Sequence, residues 1–244
     1  MNRMFESGPQ AYSWRLFLAS RPVVLRCRTA PVAVIDCQCM NANAEPTVLL
    51  GVTGSIAAHR AVDLASLLVK RGCSVHVVMT ENAQRFVQPL PFKTLSRHSV
   101  ITSLWSDPTG WQPPHIEMAD QARLLLVAPA TALFLAKLAH GLADDALHCM
   151  ALALNPAARI LVAPAMNGKM WLHPATQANV ALLRTRGVEF IGPDAGALAC
   201  GYEGVGRMAE VSQIVARALE LLALSTGQPA EPGAGSGKPP GGAA

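Results

Sequence analysis

The chain lacks several features that would point to common classes of protein. No uninterrupted apolar stretch reaches the roughly 18 residues that span a bilayer, although 51% of the 244 residues are hydrophobic. The six cysteines form no CxxC pair, and Cys37 and Cys39 lie too close together for zinc-knuckle spacing. There is no secretory signal pattern. We therefore expect no membrane span, no metal centre, and reduced thiols in a cytoplasmic protein.

Charged residues are also scarce, at 15% of the chain, and the net charge of +4 is unevenly placed. Residues 1–39 carry five arginines against two acids, which leaves 15 basic and 14 acidic residues in the remainder. That remainder has no nucleic-acid signature, so we expect no nucleic-acid partner. The low charge and high apolar content predict a well-filled core and a buried subunit interface.

The two ends of the chain differ in composition from its middle. Residues 1–45 are Arg-rich and weakly periodic. This composition is typical of a transit peptide. The alternative, which we slightly favour, is that translation begins at Met40. Residues 225–244 are rich in Gly, Pro, Ala and Ser, which predicts disorder. The predicted folded domain is therefore 46–224.

Within that domain, short apolar runs alternate with amphipathic helices. The runs are Thr47 to Val52, Ser74 to Thr80, Ala122 to Ala128, Ile160 to Ala163 and Val188 to Ile191. Because these runs are apolar without alternation, they predict parallel strands covered on both faces, as in a doubly wound α/β sheet. We expect Pro89 and Pro91 to cut a helix that begins at Ala83, and the small residues of Gly192 to Met208 to form a mobile loop.

The first strand ends in a turn of small residues, Thr53-Gly54-Ser55, before a helix from Ile56 to Lys70. The amides of Gly54, Ser55 and Ile56 and the helix dipole would favour a phosphate group. The turn matches neither GxGxxG nor Gly-Lys-Ser/Thr, so by itself it is only a weak phosphate signal.

Five other positions carry candidate chemistry. His115 follows Pro113-Pro114 near a predicted helix start. It is interpreted either as a neutral acid–base group or as a capping or surface residue. Asn167 follows the Ile160 strand, as a ligand for a carboxylate or as a turn cap. We expect Cys73 and Cys149 to be small core residues, and Cys200, within the glycine-rich segment, to be more exposed than either. Of Asp144 and Asp145, which point to different sides of a helix, at most one is functional.

These motifs follow one another in a specific order: Gly54-Ser55-Ile56, His115 in HIEMA, Asn167 in APAMNGKMW, and Cys200 in ACG ahead of Gly206-Arg207-Met208. Together they resemble the flavin-dependent cysteine decarboxylases, from about Thr47 to Leu222. The resemblance is strongest to the branch that acts on phosphopantothenoylcysteine in coenzyme A biosynthesis. It implies a Rossmann-like or flavodoxin-like three-layer α/β/α fold, FMN as cofactor, and a homotrimer or trimer of trimers with its active site between subunits.

The resemblance also implies roles for individual residues. His115 and Cys200 would be catalytic, and Asn167, Ala199 and Met208 would contact the substrate. The implied FMN ligands are Gly54, Ser55, Ile56, Thr80, Thr131, Ala132 and Ala165. In the implied reaction, FMN oxidises the cysteine thiol carbon to a thioaldehyde, carbon dioxide leaves, and hydride return with a proton from Cys200 gives 4'-phosphopantetheine.

The sequence departs from the family pattern at several positions, and alternatives stay open. Leu133 replaces a usual amide near the flavin, Tyr202 replaces the aspartate of ACGD, and His140 replaces an asparagine. A peptidyl-cysteine decarboxylase is the main alternative enzyme, and a non-catalytic regulatory flavoprotein that binds a phosphatase is the alternative from another class. Retention of the three residues at 115, 167 and 200 favours an enzyme.

Overall fold

A computed structural model describes residues 45–105, 114–197, 201 and 203–224. Its main sheet has five parallel strands in the order β2-β1-β3-β4-β5. The strands are β1 Thr47–Val52, β2 Ser74–Met79, β3 Leu124–Ala130, β4 Arg159–Pro164 and β5 Glu189–Phe190. This order confirms the predicted doubly wound parallel sheet.

Helices cover both faces of the sheet, which confirms the three-layer arrangement. They are α1 Arg60–Lys70, α2 Pro89–Ser96, α3 Pro114–Gln121, α4 Ala132–His140, α5 Ala146–Leu152, α6 Gly168–Leu172, α7 Pro174–Thr185 and α8 Val211–Leu224. The core on one face of the sheet contains Leu64 of α1 and Ile214 of α8. The core on the other face contains Phe134 of α4 and Leu147 of α5. Because Leu49 and Leu50 enter opposite cores, β1 has to be apolar throughout.

The strand order reverses direction at β1, whose neighbours are β2 and β3. In open α/β sheets such a reversal leaves a crevice beyond the carboxyl ends of the strands, where ligands bind. The turn after β1 and the loop after β3 therefore meet at this edge. All seven residues of β3 are buried, so this central strand gives the edge a rigid support.

Two predictions about irregular segments were wrong. The segment Gly192 to Met208 includes an antiparallel ribbon, β6 Asp194–Ala197 and β7 Glu203–Arg207, and Met208 is part of the core. Pro89 does not end a helix but begins α2, because a proline at the first helical position loses no hydrogen bond. The helix predicted from Ala83 is a short 3-10 turn, Ala83–Arg85.

Several predictions about the ends of the chain lie outside the described residues, including a start at Met40 and the tail 225–244. Across the described ranges, no helix is long and apolar enough to span a membrane.

Cys73 is buried, as predicted for a small core residue, and burial raises the pKa of its thiol. Cys149 is only half-buried.

Candidate active site

A cavity of about 530 Å³ opens at the carboxyl edge of the sheet. It brings together most of the residues predicted from the sequence to bind cofactor or substrate. Those that line it are Gly54, Ser55, Ile56, Thr131, Ala132, Ala165, Asn167 and Met208. They come from the turn after β1, the start of α4, the loop after β4 and the end of the ribbon. The fold therefore gathers segments that are more than 100 residues apart in the sequence.

Thr53 fixes the distance between the ends of β1 and β3. Its hydroxyl donates to the carbonyl of Pro129 at 2.8 Å and accepts from the amide of Thr131 at 3.1 Å, and the residue is 2% exposed. Thr53 lies in the turn predicted after β1, but no local sequence pattern gave it a role. A buried hydroxyl that makes two such bonds is costly to remove, since both partners would be left unpaired.

The turn after β1 exposes backbone donors to the cavity. Ser55 precedes the 3-10 turn Ile56–His59, which continues into α1, and its hydroxyl accepts from the amide of Ala57 and donates to the carbonyl of Ala165 at 3.2 Å. Within the described part of the chain, the N–H groups of Gly54 and Ile56 have no acceptor. Two unpaired amides at a helix start form a cradle for an anion.

Gly54 also lies too close to Asn82 to carry a side chain, since an added Cβ would stand 2.5 Å from the Cβ of Asn82. Thr131 begins α4, where its hydroxyl accepts from the amide of Phe134 at 3.3 Å. The next residue, Ala132, has a side chain small enough to leave the cavity open. Leu133, which follows it, is 56% exposed.

Thr80 lines a second cavity, of about 430 Å³, that shares Gly54, Thr131 and Ala132 with the first. The hydroxyl of Thr80 accepts from the amide of Ala83 at 3.3 Å. The structure therefore places this predicted cofactor residue next to the first cavity but not among the described residues that line it.

Charged side chains on α4 and just before α5 line the second cavity. Asp144 and Asp145 precede the helix, so the prediction that they lie on different sides of a helix was wrong. Asp145 accepts from both the amide and Nδ1 of His148, at 2.9 and 2.8 Å. Burial raises the pKa of Asp145, but these hydrogen bonds outweigh that effect and lower it. The Lys137 ammonium binds Asp144 at 2.6 Å and lowers the pKa of that carboxyl. Asp144, Asp145 and His148 are close enough together to suggest metal ligands, but Lys137 already neutralises Asp144.

Asn167 caps a helix, as one of its two predicted roles has it, and it also lines the first cavity. Its role as a ligand for a carboxylate stays a prediction. Its side-chain oxygen accepts from the amide of Lys169 at 2.9 Å at the start of α6. Trp171, on the same helix, is buried, as expected for a core residue. The cap holds the Asn167 side chain in one orientation at the mouth of the cavity.

The ribbon packs directly on this loop. The amide of Met166 donates to the carbonyl of Gly206 at 2.9 Å, and a Cβ on Gly206 would collide with the carbonyl oxygen of Met166. Met208, just beyond β7, is 1% exposed and lines the cavity. The ribbon thus closes one side of the site through contacts that only a glycine permits.

The two predicted catalytic residues cannot be placed in this cavity. His115 lies in the first turn of α3, which packs against α5 and β1, but its side chain is outside the described residues. Cys200, Ala199 and Tyr202 lie outside them entirely. The roles of His115, Cys200 and Ala199 stay predictions.

The structure adds residues that the sequence did not single out. His59, Arg60, Phe86 and Met170 line the first cavity. Arg60 forms an ion pair with Glu210 at 2.5 Å, a residue 150 positions away. No local pattern marks these side chains, because only the folded chain brings α1, α6 and the segment after Ala83–Arg85 together at the site.

Comparisons with known proteins identify the family of the chain. The sequence model of the Flavoprotein family matches residues 39–223. The bifunctional coenzyme A biosynthesis protein CoaBC of Bacillus subtilis is 47% identical over 184 residues, covering 75% of this chain and 45% of that protein. The chain thus spans less than half the length of that relative. The probable phosphopantothenoylcysteine decarboxylase of Streptococcus mutans is 43% identical over 175 residues, 72% of this chain and 98% of that protein.

Solved structures resemble the fold over nearly their whole length. A PPC decarboxylase mutant complexed with pantothenoylaminoethenethiol has a TM-score of 0.67 and 32% identity, with 73% of this chain and 99% of that chain covered. The FMN-dependent cysteine decarboxylase SpaF has a TM-score of 0.64 and 31% identity, with 74% and 98% covered.

Proposed function

The chain belongs to the Flavoprotein family, and on that premise we propose that it catalyses the FMN-dependent decarboxylation of 4'-phosphopantothenoylcysteine to 4'-phosphopantetheine. The observation that carries the proposal is the meeting, in one cavity, of the Gly54–Ile56 turn, Thr131, Ala165 and Asn167. The streptococcal relative that this chain covers almost completely is named for this decarboxylation, which supports the substrate.

The residues present fit FMN. The unpaired amides of Gly54 and Ile56 offer donors to its phosphate, and the hydroxyl of Thr80 in the adjoining cavity offers a partner for the ribityl chain. Ala132 and Ala165 carry small side chains that leave room for a flat ring. When bound, FMN would supply a reversible acceptor for the hydride on the substrate carbon that bears the thiol, so that no external oxidant would be consumed.

Asn167 would hold the cysteine carboxylate of the substrate. A side-chain amide donates a hydrogen bond to this group without placing a full positive charge beside it. This matters because a strong ion pair would stabilise the carboxylate in the ground state and so oppose the loss of carbon dioxide. The hydrogen bond from the Lys169 amide to Asn167 fixes the orientation of the side chain before substrate arrives.

Two proton transfers remain, and the family resemblance assigns them to His115 and Cys200. His115 would take the proton that leaves the substrate thiol. Cys200 would donate a proton to the carbon that carried the carboxylate.

We further propose that the protein is a cytoplasmic homo-oligomer, a trimer or a trimer of trimers, with the small-molecule site between subunits. Ile56 at the first cavity, Leu133 at the second and Met170 at both are 60%, 56% and 50% exposed. Apolar side chains exposed around a site are typical of a surface that another subunit covers. Native mass spectrometry would test this, and a monomer at micromolar concentration would contradict it.

The proposed function is tested by an absorbance scan of the purified protein, followed by mass detection of the product formed from 4'-phosphopantothenoylcysteine. We expect a flavin spectrum and loss of carbon dioxide, with the His115→Asn variant as a folded, yellow and inactive control. A flavin spectrum with turnover only of a peptide that ends in cysteine would favour the peptidyl-cysteine decarboxylase instead. A flavin-free protein that does not take up FMN would contradict the proposal.

A further inference from the structure

The first cavity has an uneven distribution of charge. Among its described lining residues, Arg60 and Arg207 are permanent cations, His59 is a third basic group, and none is an aspartate or glutamate. Most of the other lining side chains are apolar or small. A cavity with this lining suits a ligand that is largely uncharged along its length and carries an anion at one end.

One carboxylate, that of Glu210, holds the two arginines together. Its Oε2 accepts from Nη2 of Arg60 at 2.5 Å, and its Oε1 accepts from Nη2 of Arg207. Arg60 also donates through Nη1 to the carbonyl of Met208 at 3.5 Å. Since each guanidinium has five N–H donors, most donors of the pair are not used by these bonds. The group of three keeps a net charge of +1.

The arginines come from elements that meet only in the folded chain. Arg60 begins α1 and Arg207 ends β7, while Glu210 lies just before α8. The Arg60 side chain is 23% exposed and that of Arg207 is 47% exposed, so Arg60 is the more firmly placed of the two. Two such guanidiniums side by side match the geometry of a phosphate monoester, which accepts paired hydrogen bonds from arginine.

We propose that Arg60 and Arg207 form the subsite for the phosphate group of the substrate, an inference that rests on the proposed function. FMN also carries a phosphate, but the unpaired amides of Gly54 and Ile56 already provide a cradle for it. Arg207 instead belongs to the ribbon, next to Gly206, which contacts the loop that bears Asn167, the proposed ligand of the substrate carboxylate. The arginine pair is thus attached to the substrate side of the cavity.

The test compares 4'-phosphopantothenoylcysteine with the same compound lacking its phosphate, using the full-length, flavin-loaded protein. The quantity measured is the ratio of kcat/KM for the two substrates. In Arg60→Gln and in Arg207→Gln we expect this ratio to fall by about 10- to 100-fold, the effect of losing a charge-assisted hydrogen bond. Arg217→Gln is the matched control. Arg217 lies on α8, forms ion pairs with Glu189 of β5 and Glu220 of α8, and does not line the cavity.

Three results would overturn the inference. An equal fall in kcat/KM for both substrates would show that the arginines act on a part the two share. Loss of FMN from the variants would assign them to the phosphate of the cofactor. Unchanged kcat/KM values for both substrates would leave only a surface ion-pair network. Thermal melts identify a misfolded variant, and because Arg207 is half exposed, Arg207→Gln keeps the test valid if Arg60→Gln does not fold.

Failure of the proposed function would be recognised separately, since the unmodified protein would then turn over neither substrate. In that case the subsite is tested by calorimetric binding of 4'-phosphopantothenate and of pantothenate. We expect the phosphorylated compound to bind at least about 10-fold more tightly, and Arg207→Gln to remove this preference. Equal affinities for the two compounds in the unmodified protein would overturn the inference.

Discussion

Met166 and Gly206 lie in direct backbone contact at the edge of the site. The Met166 amide donates to the Gly206 carbonyl at 2.9 Å, and Gly206 has a φ of +153° at a point where a Cβ would strike the Met166 carbonyl oxygen. The ribbon and the loop that bears Asn167 therefore form one unit. Their relative position depends on the absence of a single methyl group.

Gly206→Ala should separate the ribbon from the loop and displace Asn167. We expect kcat/KM to fall at least about 10-fold and the free energy of unfolding to fall by about 1–3 kcal/mol, from the collision and the strained backbone. Gly196→Ala is the control, since Gly196 has a similar φ of +158° but its nearest contact, the Arg207 side chain, is at 3.6 Å. Equal losses in both variants, measured by urea unfolding and steady-state kinetics, would mean that strain alone is responsible.

Thr53→Val should weaken the connection between β1 and β3 without changing the size of the side chain. The substitution leaves the Pro129 carbonyl and the Thr131 amide unpaired in a buried place. We expect a loss of about 1–3 kcal/mol in the free energy of unfolding, with weaker FMN binding. Thr94→Val, on the exposed side of α2, removes one bond to the Leu90 carbonyl and should cost much less. Similar losses would show that Thr53 has no special role.

Asn167→Asp separates the two roles of Asn167. Aspartate is as good a helix cap as asparagine, so the bond from the Lys169 amide should persist and the melting temperature should change little. A carboxylate at this place would repel the carboxylate of the substrate, and we expect kcat/KM to fall about 100-fold or more. Near-normal kinetics together with an altered melting temperature would make Asn167 a structural cap only.

The stability of the protein should fall in mild acid because of His76. Burial, together with the charge of His98 stacked 4.0 Å away, lowers the pKa of His76 from 6.5 to about 4. The unfolded chain therefore binds this proton more tightly than the folded chain, so its contribution to stability is complete above pH 6.5 and is lost as the pH falls toward 4. Urea unfolding at pH 7 and pH 5 measures the free energy of unfolding lost on acidification. We expect this loss to be smaller in His76→Gln than in the unmodified protein. In the exposed control His140→Gln, the loss should equal that of the unmodified protein. An equal acid loss in all three proteins would exclude His76.

Cys200→Ser should stall the proposed reaction after carbon dioxide has left, because serine is a much poorer proton donor than a thiol. We expect carbon dioxide release in a first turnover without the formation of 4'-phosphopantetheine. Mass spectrometry of the products of a single turnover would measure both. Formation of the normal product at the normal rate would show that another group supplies the proton.

The predictions from sequence succeeded where a local pattern carries the information. The bounds of β1 were predicted as they are in the structure, because a continuous apolar run followed by Thr53-Gly54-Ser55 leaves a buried strand and a tight turn as the favoured local conformation. By contrast, the ribbon between Asp194 and Arg207 was missed, since its glycines have no intrinsic preference for a strand.

The amino-acid sequence by itself determined the five strands of the main sheet, the turns at their carboxyl ends and the family motifs, all of which depend on neighbouring residues. Only the tertiary structure decided that Thr53 joins two strands, that Gly206 rests on Met166, and that Glu210 holds Arg60 beside Arg207. The physical reason is that these contacts join residues distant in the sequence. Their energies depend on packing, hydrogen-bond geometry and charge, which arise only when the sheet and its two helical layers have formed.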